Sequence, residues 1–552
     1  MTAIIEIDHL TYRPPSLPPD APDILHDISL TIDEGAFVAI IGENGSGKTS
    51  LIKQINGLIL PTEGHVNVSG LDTRDAADRS RLHGLVGMVF QDPVDQIVAS
   101  TVEEDVAFGL ENANLPYREI QARVREQLEA AELADEAHRP PHLLSGGQIQ
   151  RLALAGVLAR QPKVILFDEP TSMLDPRSRS EFLQRIIALN QQGITILYVT
   201  HHMEETVHAD QIVVLQGGQI ALQGSPPEIY CHNDKLHEIG VEKPEAVDLA
   251  DHMRQLGWEI PPRTLTSNQL LQALPIYEGD KIGHEHIKPE AKSHLDIQIE
   301  DVHYAYLAGT LLEKQALRGA SVNIPEGQIH GFAGTNGSGK STLLQHINGI
   351  LRPSHGYIKV ADLRLEDQTT PLREIIKKVG LVFQNPETQF FEVFVGDEIA
   401  YGPKQFQMKD IRERVRQAMM LVGLDFETYK DRRLETLSGG EKRKVALAST
   451  LVLEQDILLF DEPTAGMDPN ARAALLKLFQ KLNKQGKTVV IASHRLEELA
   501  LVSHQLSIMA KGKVEMSDSS PLVLSDMVAI NNSGLQAPLA VRVGLKLIEQ
   551  GW

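Results

Sequence analysis

Short apolar runs alternate with amphipathic stretches along the chain, and this alternation is typical of an α/β fold. The runs FVAII, at 37–41, and VILFD, at 164–168, are rich in residues that favour strands buried on both faces. The stretch SRSEFLQRIIALNQQG, at 178–193, carries apolar residues at helical spacing. The pattern therefore predicts a doubly wound, mostly parallel sheet with right-handed crossover connections.

The pattern occurs twice. The segment IIGENGSGKTSLIKQINGL recurs as FAGTNGSGKSTLLQHINGI, and VILFDEPTSMLDP recurs as ILLFDEPTAGMDP. Lys48 and Lys340 are 292 residues apart, and Asp168 and Asp461 are 293 residues apart. An offset this constant over so long a span indicates a duplicated domain.

Each copy contains a phosphate-binding loop of the form G-x-x-x-x-G-K-[ST], placed after an apolar strand and at the start of a helix. The glycines let backbone N–H groups point at the phosphates, and the helix N-terminus adds a favourable partial charge. We expect the lysines to contact the β and γ phosphates and the residues after them to offer a hydroxyl to Mg²⁺. The residues predicted to bind the nucleotide in this way are Gly42, Glu43, Asn44, Gly45, Ser46, Gly47, Lys48, Thr49 and Ser50 in the first copy, and Gly334, Thr335, Asn336, Gly337, Ser338, Gly339, Lys340, Ser341 and Thr342 in the second.

Two adjacent carboxylates end a second apolar strand in each copy. They are Asp168 and Glu169 in the first copy and Asp461 and Glu462 in the second. We expect each aspartate to hold Mg²⁺, directly or through water. The following glutamate is then placed to accept a proton from the attacking water.

A serine and two glycines at the start of a later helix predict a second anion site in each copy. A domain with a complete phosphate-binding loop does not need a second one for the same nucleotide. We therefore expect each of these segments to reach a nucleotide held by the other copy. The residues are Ser145, Gly146, Gly147 and Gln148 in the first copy and Ser438, Gly439, Gly440 and Glu441 in the second.

The order of these motifs resembles that of the ATP-binding-cassette (ABC) family, over essentially the whole chain and twice. The resemblance implies two P-loop NTPase domains of ABC type, each with a helical subdomain, which close on each other around two ATP molecules. It implies that Gln91 and Gln384 sense the γ phosphate and help to hold Mg²⁺, and that His201 and His494 are switch histidines that contact the γ phosphate. It also places Asp175 and Asp468 in loops that connect the two sites. Because both copies keep every catalytic residue, we expect both to hydrolyse ATP.

A narrower resemblance follows from the segments FQDPVDQIVASTVEEDVAFGLEN and FQNPETQFFEVFVGDEIAYGPKQ. They are similar to the ATPases of energy-coupling-factor (ECF) importers, which carry a glutamine in a short helix, here around Gln96 and Gln389. Residues 226–274 resemble the extra C-terminal domain of those ATPases. The resemblance implies import of a vitamin or metal ion, an integral membrane scaffold subunit, a separate substrate-binding membrane subunit, and a peripheral position on the cytoplasmic side of the membrane.

The repeat and the resemblance together suggest the domain boundaries. The expected order is a first nucleotide-binding domain at 1–225, an ECF-type extension at 226–277, a polar linker at 278–296, a second nucleotide-binding domain at 297–515 and a shortened extension at 516–552. The two extensions share the pattern of PEAVDLADHMRQLGW and PLAVRVGLKLIEQGW, and only the first continues as EIPPRTLTSNQLLQAL.

The two copies differ where the family carries an aromatic residue that stacks on adenine. The second copy has Tyr306, in VHYAY, whereas the equivalent position of the first copy is Pro14, in LTYRPP. Adenine stacking is therefore in doubt in the first copy, unless Tyr12 or Arg13 substitutes.

Acidic residues follow Gln91 and Gln384 in both copies. They form either a solvated acidic loop or, as the resemblance suggests, the docking surface for arginines of the membrane scaffold. They are Asp92, Asp95, Glu103, Glu104 and Asp105 in the first copy and Glu387, Glu392, Asp397 and Glu398 in the second.

Composition narrows the alternatives. The net charge of −21 argues against nucleic acid as a main partner, and the single cysteine, Cys231, excludes an internal disulfide and fits a reducing cytosol. A tandem-cassette protein acting on the ribosome would need a basic surface and a long charged linker. A fused sugar-importer ATPase commonly has damaged motifs in one copy, and a DNA-repair ATPase would need a long coiled-coil or zinc insertion. An ATPase that energises a membrane transporter fits best.

Overall fold

The protein divides into two compact units, Met1–Pro275 and Ile276–Trp552. The computed structural model describes residues 2–15, 22–172, 174–276, 294–310, 313–365, 370–465, 467 and 469–552. The expected linker at 278–296 lies outside the described residues except at 294–296, where the first strand of the second unit already begins at Leu295.

The first unit alternates strands with helices, as the hydrophobic pattern predicts. Its described strands are β1 (Ala3–Tyr12), β2 (Leu25–Asp33), β3 (Phe37–Gly42), β4 (Glu63–Val68), β5 (Leu71–Asp72), β6 (Val86–Val89), β7 (Val164–Asp168), β8 (Thr195–Val199), β9 (Gln211–Gln216) and β10 (Gln219–Gly224). Its described helices are α1 (Lys48–Ile55), α2 (Ala76–Leu85), α3 (Val102–Asn112), α4 (Tyr117–Ala130), α5 (Gly146–Leu158), α6 (Pro176–Gln191), α7 (Met203–Thr206), α8 (Pro226–Tyr230), α9 (Asn233–Ile239), α10 (Glu245–Gln255) and α11 (Ser267–Ala273).

The second unit repeats this order. Its described strands are β11 (Leu295–Tyr306), β12 (Lys314–Pro325), β13 (Ile329–Ala333), β14 (His355–Val360), β15 (Leu363–Arg364), β16 (Val379–Val382), β17 (Ile457–Asp461), β18 (Thr488–Ser493), β19 (Gln505–Ala510) and β20 (Lys513–Ser519). Its described helices are α12 (Lys340–Ile347), α13 (Leu372–Lys378), α14 (Val395–Gln405), α15 (Ile411–Leu421), α16 (Phe426–Tyr429), α17 (Gly439–Leu451), α18 (Pro469–Lys484), α19 (Leu496–Val502), α20 (Ser520–Ser525), α21 (Met527–Asn532) and α22 (Leu539–Glu549).

A six-stranded sheet forms the centre of each unit, in the order β10-β9-β3-β8-β7-β6 in the first and β20-β19-β13-β18-β17-β16 in the second. All pairs in it are parallel except the antiparallel edge pairs β9/β10 and β19/β20. Strands β3 and β7 are buried along their whole length, which confirms the expectation from FVAII and VILFD. Because the carboxyl ends of parallel strands meet at one edge, the loops after β3, β8, β7 and β6 lie side by side.

A separate antiparallel sheet accompanies the parallel one in each unit, in the order β2-β1-β4-β5 and β12-β11-β14-β15. The sequence analysis did not anticipate it. The burial of β2 alternates for much of its length, as is usual for a strand with one face on the core and one in solvent.

A helical subdomain interrupts the parallel sheet between β6 and β7. In the first unit its apolar core is formed by α3, α4 and α5, through Val102, Val106, Leu128 and Leu152. The side chain of Thr101 caps α3 and forms a capping box with Glu104. Helices α14, α15 and α17 occupy the same place in the second unit.

The C-terminal extension of the first unit packs close to the segment that follows His201. The hydroxyl of Tyr230, on α8, lies against Thr206 Oγ1, and the backbone N–H of Glu245 donates to Glu204 Oε1 at 3.1 Å. In the described part of the chain, no helix combines the length and the apolar character needed to cross a membrane.

Candidate active sites

The phosphate-binding loops connect β3 to α1 and β13 to α12. Gly47 and Gly339 precede these helices with φ of 99° and 105°, and a Cβ added at either would lie 2.9 Å from a backbone carbonyl oxygen. Only glycine accommodates both the positive φ and this close approach. The backbone geometry therefore explains why the motif has a glycine at these two positions.

The loop lysines fold back across their own loops. Lys48 Nζ donates to the carbonyls of Gly42 and Glu43 at 2.8 and 2.7 Å, and Lys340 Nζ donates to those of Gly334 and Thr335 at 2.7 and 3.2 Å. Burial lowers the pKa of both lysines, and neighbouring carboxylates oppose this effect. A buried ammonium held mainly by carbonyl acceptors is suited to bind an anion that enters the loop.

The hydroxyl and carboxylate predicted to hold Mg²⁺ lie together. Thr49 Oγ1 donates to Asp168 Oδ1 at 3.0 Å, and Ser341 hydrogen-bonds with Asp461. Burial raises the pKa of both aspartates. In the described structure Asp461 Oδ1 is buried without a hydrogen-bond partner. A hard cation that prefers oxygen ligands fits this set of donors.

The glutamates Glu169 and Glu462 both adopt a left-handed backbone, with φ of 47° and 45°. Each N–H donates across to the neighbouring strand, to Val199 O at 3.0 Å and to Ala492 O at 2.9 Å. Such a conformation costs on the order of 1–3 kcal/mol for a residue with a side chain, and it is concentrated at functional sites. Its occurrence at the same position in both units supports a functional role for these glutamates.

Each of these glutamates contacts the predicted switch histidine of its own unit. His201 Nε2 lies 2.7 Å from Glu169 Oε1, and His494 Nδ1 lies 2.9 Å from Glu462 Oε2. The first unit adds a bond from Gln91 Nε2 to Glu169 Oε2 at 3.2 Å, whereas no such bond joins Gln384 to Glu462 in the described structure.

The two sites also differ in enclosure. Glu462 is only 5% exposed, and Lys340 Nζ lies 3.5 Å from its Oε1. Burial raises the pKa of Glu462, but His494 and Lys340 outweigh that effect and hold it below its ordinary value. These contacts therefore favour the ionised form of the Glu462 carboxylate, which an acceptor of protons requires.

The segments with a serine and two glycines begin α5 and α17 with a capping box. Ser145 Oγ accepts from Gln148 N at 3.4 Å, and Ser438 Oγ accepts from Glu441 N at 3.3 Å. The space beside Gly146, Gly439 and Gly440 is open. Within each unit, no hydrogen bond or ion pair among the described residues joins this segment to its own phosphate-binding loop. Among the described residues, these segments are thus not bonded to the phosphate-binding loop of their own copy.

The aromatic difference between the copies has a structural basis in strand length. Tyr12 pairs with Leu25 and Tyr304 with Leu317, so the two tyrosines are equivalent. Strand β1 ends at Tyr12, whereas β11 continues to Tyr306. The hydroxyl of Tyr306 lies 3.2 Å from Thr342 Oγ1, beside the phosphate-binding loop.

The possible substitutes in the first copy are engaged elsewhere. Arg13 Nε donates to Asp23 Oδ1 at 2.8 Å, and Tyr12 packs against the apolar core of the antiparallel sheet. In the first copy, Pro14 therefore occupies the position that Tyr306 has in the second.

Most of the predicted acidic docking residues are occupied by local contacts. They cap turns, accept from backbone N–H groups or pair with a cation of the same unit, which the sequence did not reveal. The occupied residues are Asp92, with Val94 N; Glu103, with His138; Glu104, with Thr101 N; Asp105, with Val98 N and Ala99 N; Glu387, with Lys442; Asp397, with Lys404; and Glu398, with Phe391 N and Glu392 N.

Apolar side chains are exposed in the same region. Val94 and Val98 in the first unit and Phe391 and Val393 in the second are more than half exposed. The glutamines singled out by the ECF resemblance close this turn, because Gln96 Oε1 accepts from Phe90 N at 3.4 Å and Gln389 Oε1 from Phe383 N at 3.5 Å.

Sequence reasoning missed a buried glutamate four residues after each switch histidine. Glu205 accepts hydrogen bonds from Thr171 Oγ1 at 2.7 Å and Thr200 Oγ1 at 2.6 Å. Glu498 accepts one from Thr464 Oγ1 and pairs with Arg495 at 3.1 Å. These two glutamates connect the helix after the histidine to the loop after the strained glutamate. In the sequence, the one feature that could have pointed to them is the Glu-Glu pair repeated in HHMEE and HRLEE.

Of the two aspartates expected in loops that connect the sites, Asp175 lies among the described residues. It caps α6 by accepting from Arg177 N at 3.1 Å and Ser178 N at 3.0 Å. Asp468 lies outside the described residues.

Comparison with known proteins adds an independent finding. The profile of a family described as ABC transporter matches residues 25–172 and 317–465. A provisionally named ABC transporter ATP-binding protein of Methanosarcina mazei is 31% identical over 100% of this chain and 95% of its own length. A protein of the same description from Caldanaerobacter subterraneus is 32% identical over 95% of this chain and 93% of its own. Among solved structures, cbiO1 of Clostridium perfringens, part of the ABC transporter complex cbiONQ, is 32% identical, with a TM-score of 0.39 over 46% of this chain and 100% of its own. The chain therefore belongs to the ABC transporter family, as a tandem ATP hydrolase with one ATP-binding cassette in each unit.

Proposed function

We propose that both cassettes bind ATP with Mg²⁺ and hydrolyse it, and that the chain energises an ECF-type importer of a vitamin or metal ion. The observation that carries the catalytic part is the pairing of a glutamate in a strained, left-handed backbone conformation with a switch histidine beside the phosphate-binding loop, in both units.

The phosphate-binding residues prepare each site for ATP. Lys48 and Lys340 exchange their carbonyl acceptors for the β and γ phosphates, and the loop N–H groups surround the same oxygens. Thr49, Asp168 and Gln91 would hold Mg²⁺ in the first unit, and Ser341, Asp461 and Gln384 in the second. When bound, Mg²⁺ neutralises negative charge that develops on the phosphate oxygens.

The glutamates then act as general bases. Glu169 and Glu462 each accept a proton from the water that attacks the γ phosphate. For this to occur, the histidine–glutamate pair must open, so that His201 or His494 can donate to the γ phosphate and free a carboxylate oxygen. The segments beginning at Ser145 and Ser438 supply N–H donors at the start of a helix, and we assign each of them to the nucleotide of the other cassette.

Coupling to a membrane partner is assigned to the turn after Gln91 and Gln384 and to the helical subdomain. The support is the ECF-like pattern of these segments, their closing glutamines Gln96 and Gln389, and the exposed apolar side chains next to them. The proposed domain boundaries remain those given by the repeat, with the chain acting as a peripheral protein on the cytoplasmic side of the membrane. An integral scaffold subunit and a separate substrate-binding subunit would complete the transporter.

Affinity purification of the full chain from detergent-solubilised membranes tests the proposed partners. We expect two integral membrane proteins to co-purify in stoichiometric amounts. Recovery of ribosomal proteins instead would support the soluble tandem-cassette alternative, and a permease pair with a sugar-binding protein would support a sugar importer.

A further inference from the structure

Arg443, on α17, connects three parts of the second unit through backbone carbonyl groups. Its Nη2 donates to Gln384 O at 2.7 Å. Its Nη1 lies within hydrogen-bond distance of Pro463 O and Ala465 O, both at 2.8 Å, and of Glu462 O at 3.2 Å. The guanidinium thus joins the start of the helix after Ser438, the loop that carries Gln384, and the glutamate with its following loop.

The described part of the first unit contains no such connection. The equivalent residue is Gln150, since Ser145 and Ser438 are separated by the same 293 residues. Gln150 is 2% exposed, and its Nε2 is buried without a hydrogen-bond partner in the described structure. There, among the described residues, a side-chain bond from Gln91 Nε2 to Glu169 Oε2 at 3.2 Å ties the loop to the glutamate.

The two links differ in whether binding and hydrolysis of ATP can break them. The bond between Gln91 and Glu169 uses the same side chains that the reaction requires, so it opens whenever they turn toward a nucleotide. The Arg443 contacts use only main-chain oxygens, so the side chains of Gln384 and Glu462 can move without breaking them. A planar guanidinium with several donors in a fixed arrangement holds such a set of acceptors more rigidly than an amide can.

We propose that Arg443 is a positioning residue that makes the start of α17, the loop at Gln384 and the backbone of Glu462 move as one body in the second cassette. Gln150 leaves the corresponding parts of the first cassette to move independently. The helical subdomain of the second cassette therefore follows its catalytic glutamate directly. A measurement of hydrogen exchange does not depend on the proposed transport function, whereas an activity readout rests on the assignment of Glu462 as the base.

Hydrogen exchange of the full chain tests the coupling. In Arg443→Gln, which introduces the residue of the first copy, we expect amides of 438–445 and 462–465 to exchange about tenfold or more faster, because several charge-assisted bonds are lost. Lys444→Gln removes the same charge from the next position of α17 and should leave these rates unchanged. Gln150→Arg should slow exchange at 145–152 and 169–172.

A second readout separates positioning from general stability. In a Glu169→Gln background, where turnover comes from the second site, Arg443→Gln should lower kcat about tenfold while KM for ATP stays within twofold. Arg443→Lys, with a single ammonium in place of the guanidinium, should not restore kcat.

Two results would overturn the proposal. One is unchanged exchange at 438–445 and 462–465 in Arg443→Gln. The other is faster exchange throughout the strands of the second unit, since that would show a loss of overall stability. Absence of any ATP turnover in the wild-type chain would instead contradict the proposed function and leave the exchange test valid.

Discussion

At the scale of single residues, similar motifs produce two sites that are not equivalent. Glu462 contacts both His494 and Lys340, whereas Glu169 contacts His201 and Gln91. The motif spacing and the resemblance to the ABC family singled out these residues, and their roles in catalysis stay predictions. The sequence could not predict these contacts, because the rotamers depend on packing around each loop.

Tyr306 predicts a difference in nucleotide affinity between the sites. Stacking of a base on an aromatic ring is worth about 1–3 kcal/mol, so the second site should bind ATP about fivefold or more tightly than the first. Titration of ATP into Lys48→Ala and Lys340→Ala, each with one intact site, measures the two affinities. Tyr306→Phe keeps the ring and should preserve the difference, and Tyr306→Ala should abolish it. Equal affinities in the two parent variants would refute this prediction.

His330 predicts a pH dependence of stability. It is fully buried in β13, with Nε2 2.8 Å from Ser507 Oγ, and burial lowers its pKa from 6.5 to about 3. Between these values the unfolded chain binds a proton that the folded unit does not bind. The free energy of unfolding therefore falls as pH drops through this window, by up to about 1.4 kcal/mol per pH unit from this residue.

The first copy supplies the matched substitution, since Val38 occupies the same position of β3. His330→Val should reduce the loss of stability between pH 6 and pH 5 by about 1 kcal/mol. Denaturant unfolding at several pH values, followed by hydrogen exchange in peptides of the second unit, gives the slope of the unfolding free energy against pH for the wild type and for the variant. Identical slopes in wild type and variant would show that His330 does not contribute.

At the scale of elements, strands were easier to predict than surfaces. VILFD reads as a buried strand because every position is apolar up to its last residue, and β7 is buried throughout. The acidic docking surface was harder to predict, because a carboxylate that accepts from a backbone N–H has no distinct signature in sequence. Asp105 and Glu398 each commit one carboxylate oxygen in this way, and the acidic docking surface stays a prediction.

The exposed apolar residues that follow Gln91 and Gln384 support a second prediction about where the membrane partner docks. Phe391 is 76% exposed and stacks on Tyr401, and Val98 is also exposed. The double variant Val98→Ser, Phe391→Ser should lose co-purification with the membrane partners while the isolated chain still hydrolyses ATP. Leu256→Ser, at a side chain that is 78% exposed on the C-terminal extension, is the control. Unchanged co-purification and transport in the double variant would place the docking surface elsewhere.

At the scale of the whole molecule, duplication explains most of what could be foreseen. Two motif sets at a constant offset predicted two α/β units, and both have the same strand order. The antiparallel sheets were not foreseen, although IIEIDHLTY alternates for part of its length, because β1 gains partners from strands such as β4 that lie far along the chain. The Arg443 contacts were equally hidden, since backbone carbonyl acceptors leave no trace in side-chain patterns.

The central claim is that one chain carries two working ATPase sites, each with its own glutamate as base. The most direct test is steady-state ATP turnover of the purified full chain with Glu169→Gln, with Glu462→Gln and with both. We predict that each substitution slows its own site by roughly 10²–10⁴-fold, that each single variant loses the share of turnover that comes from the altered site, and that the double variant falls to background while still binding ATP. Wild-type turnover in either single variant would contradict the account, because it would show that the altered site does no catalytic work.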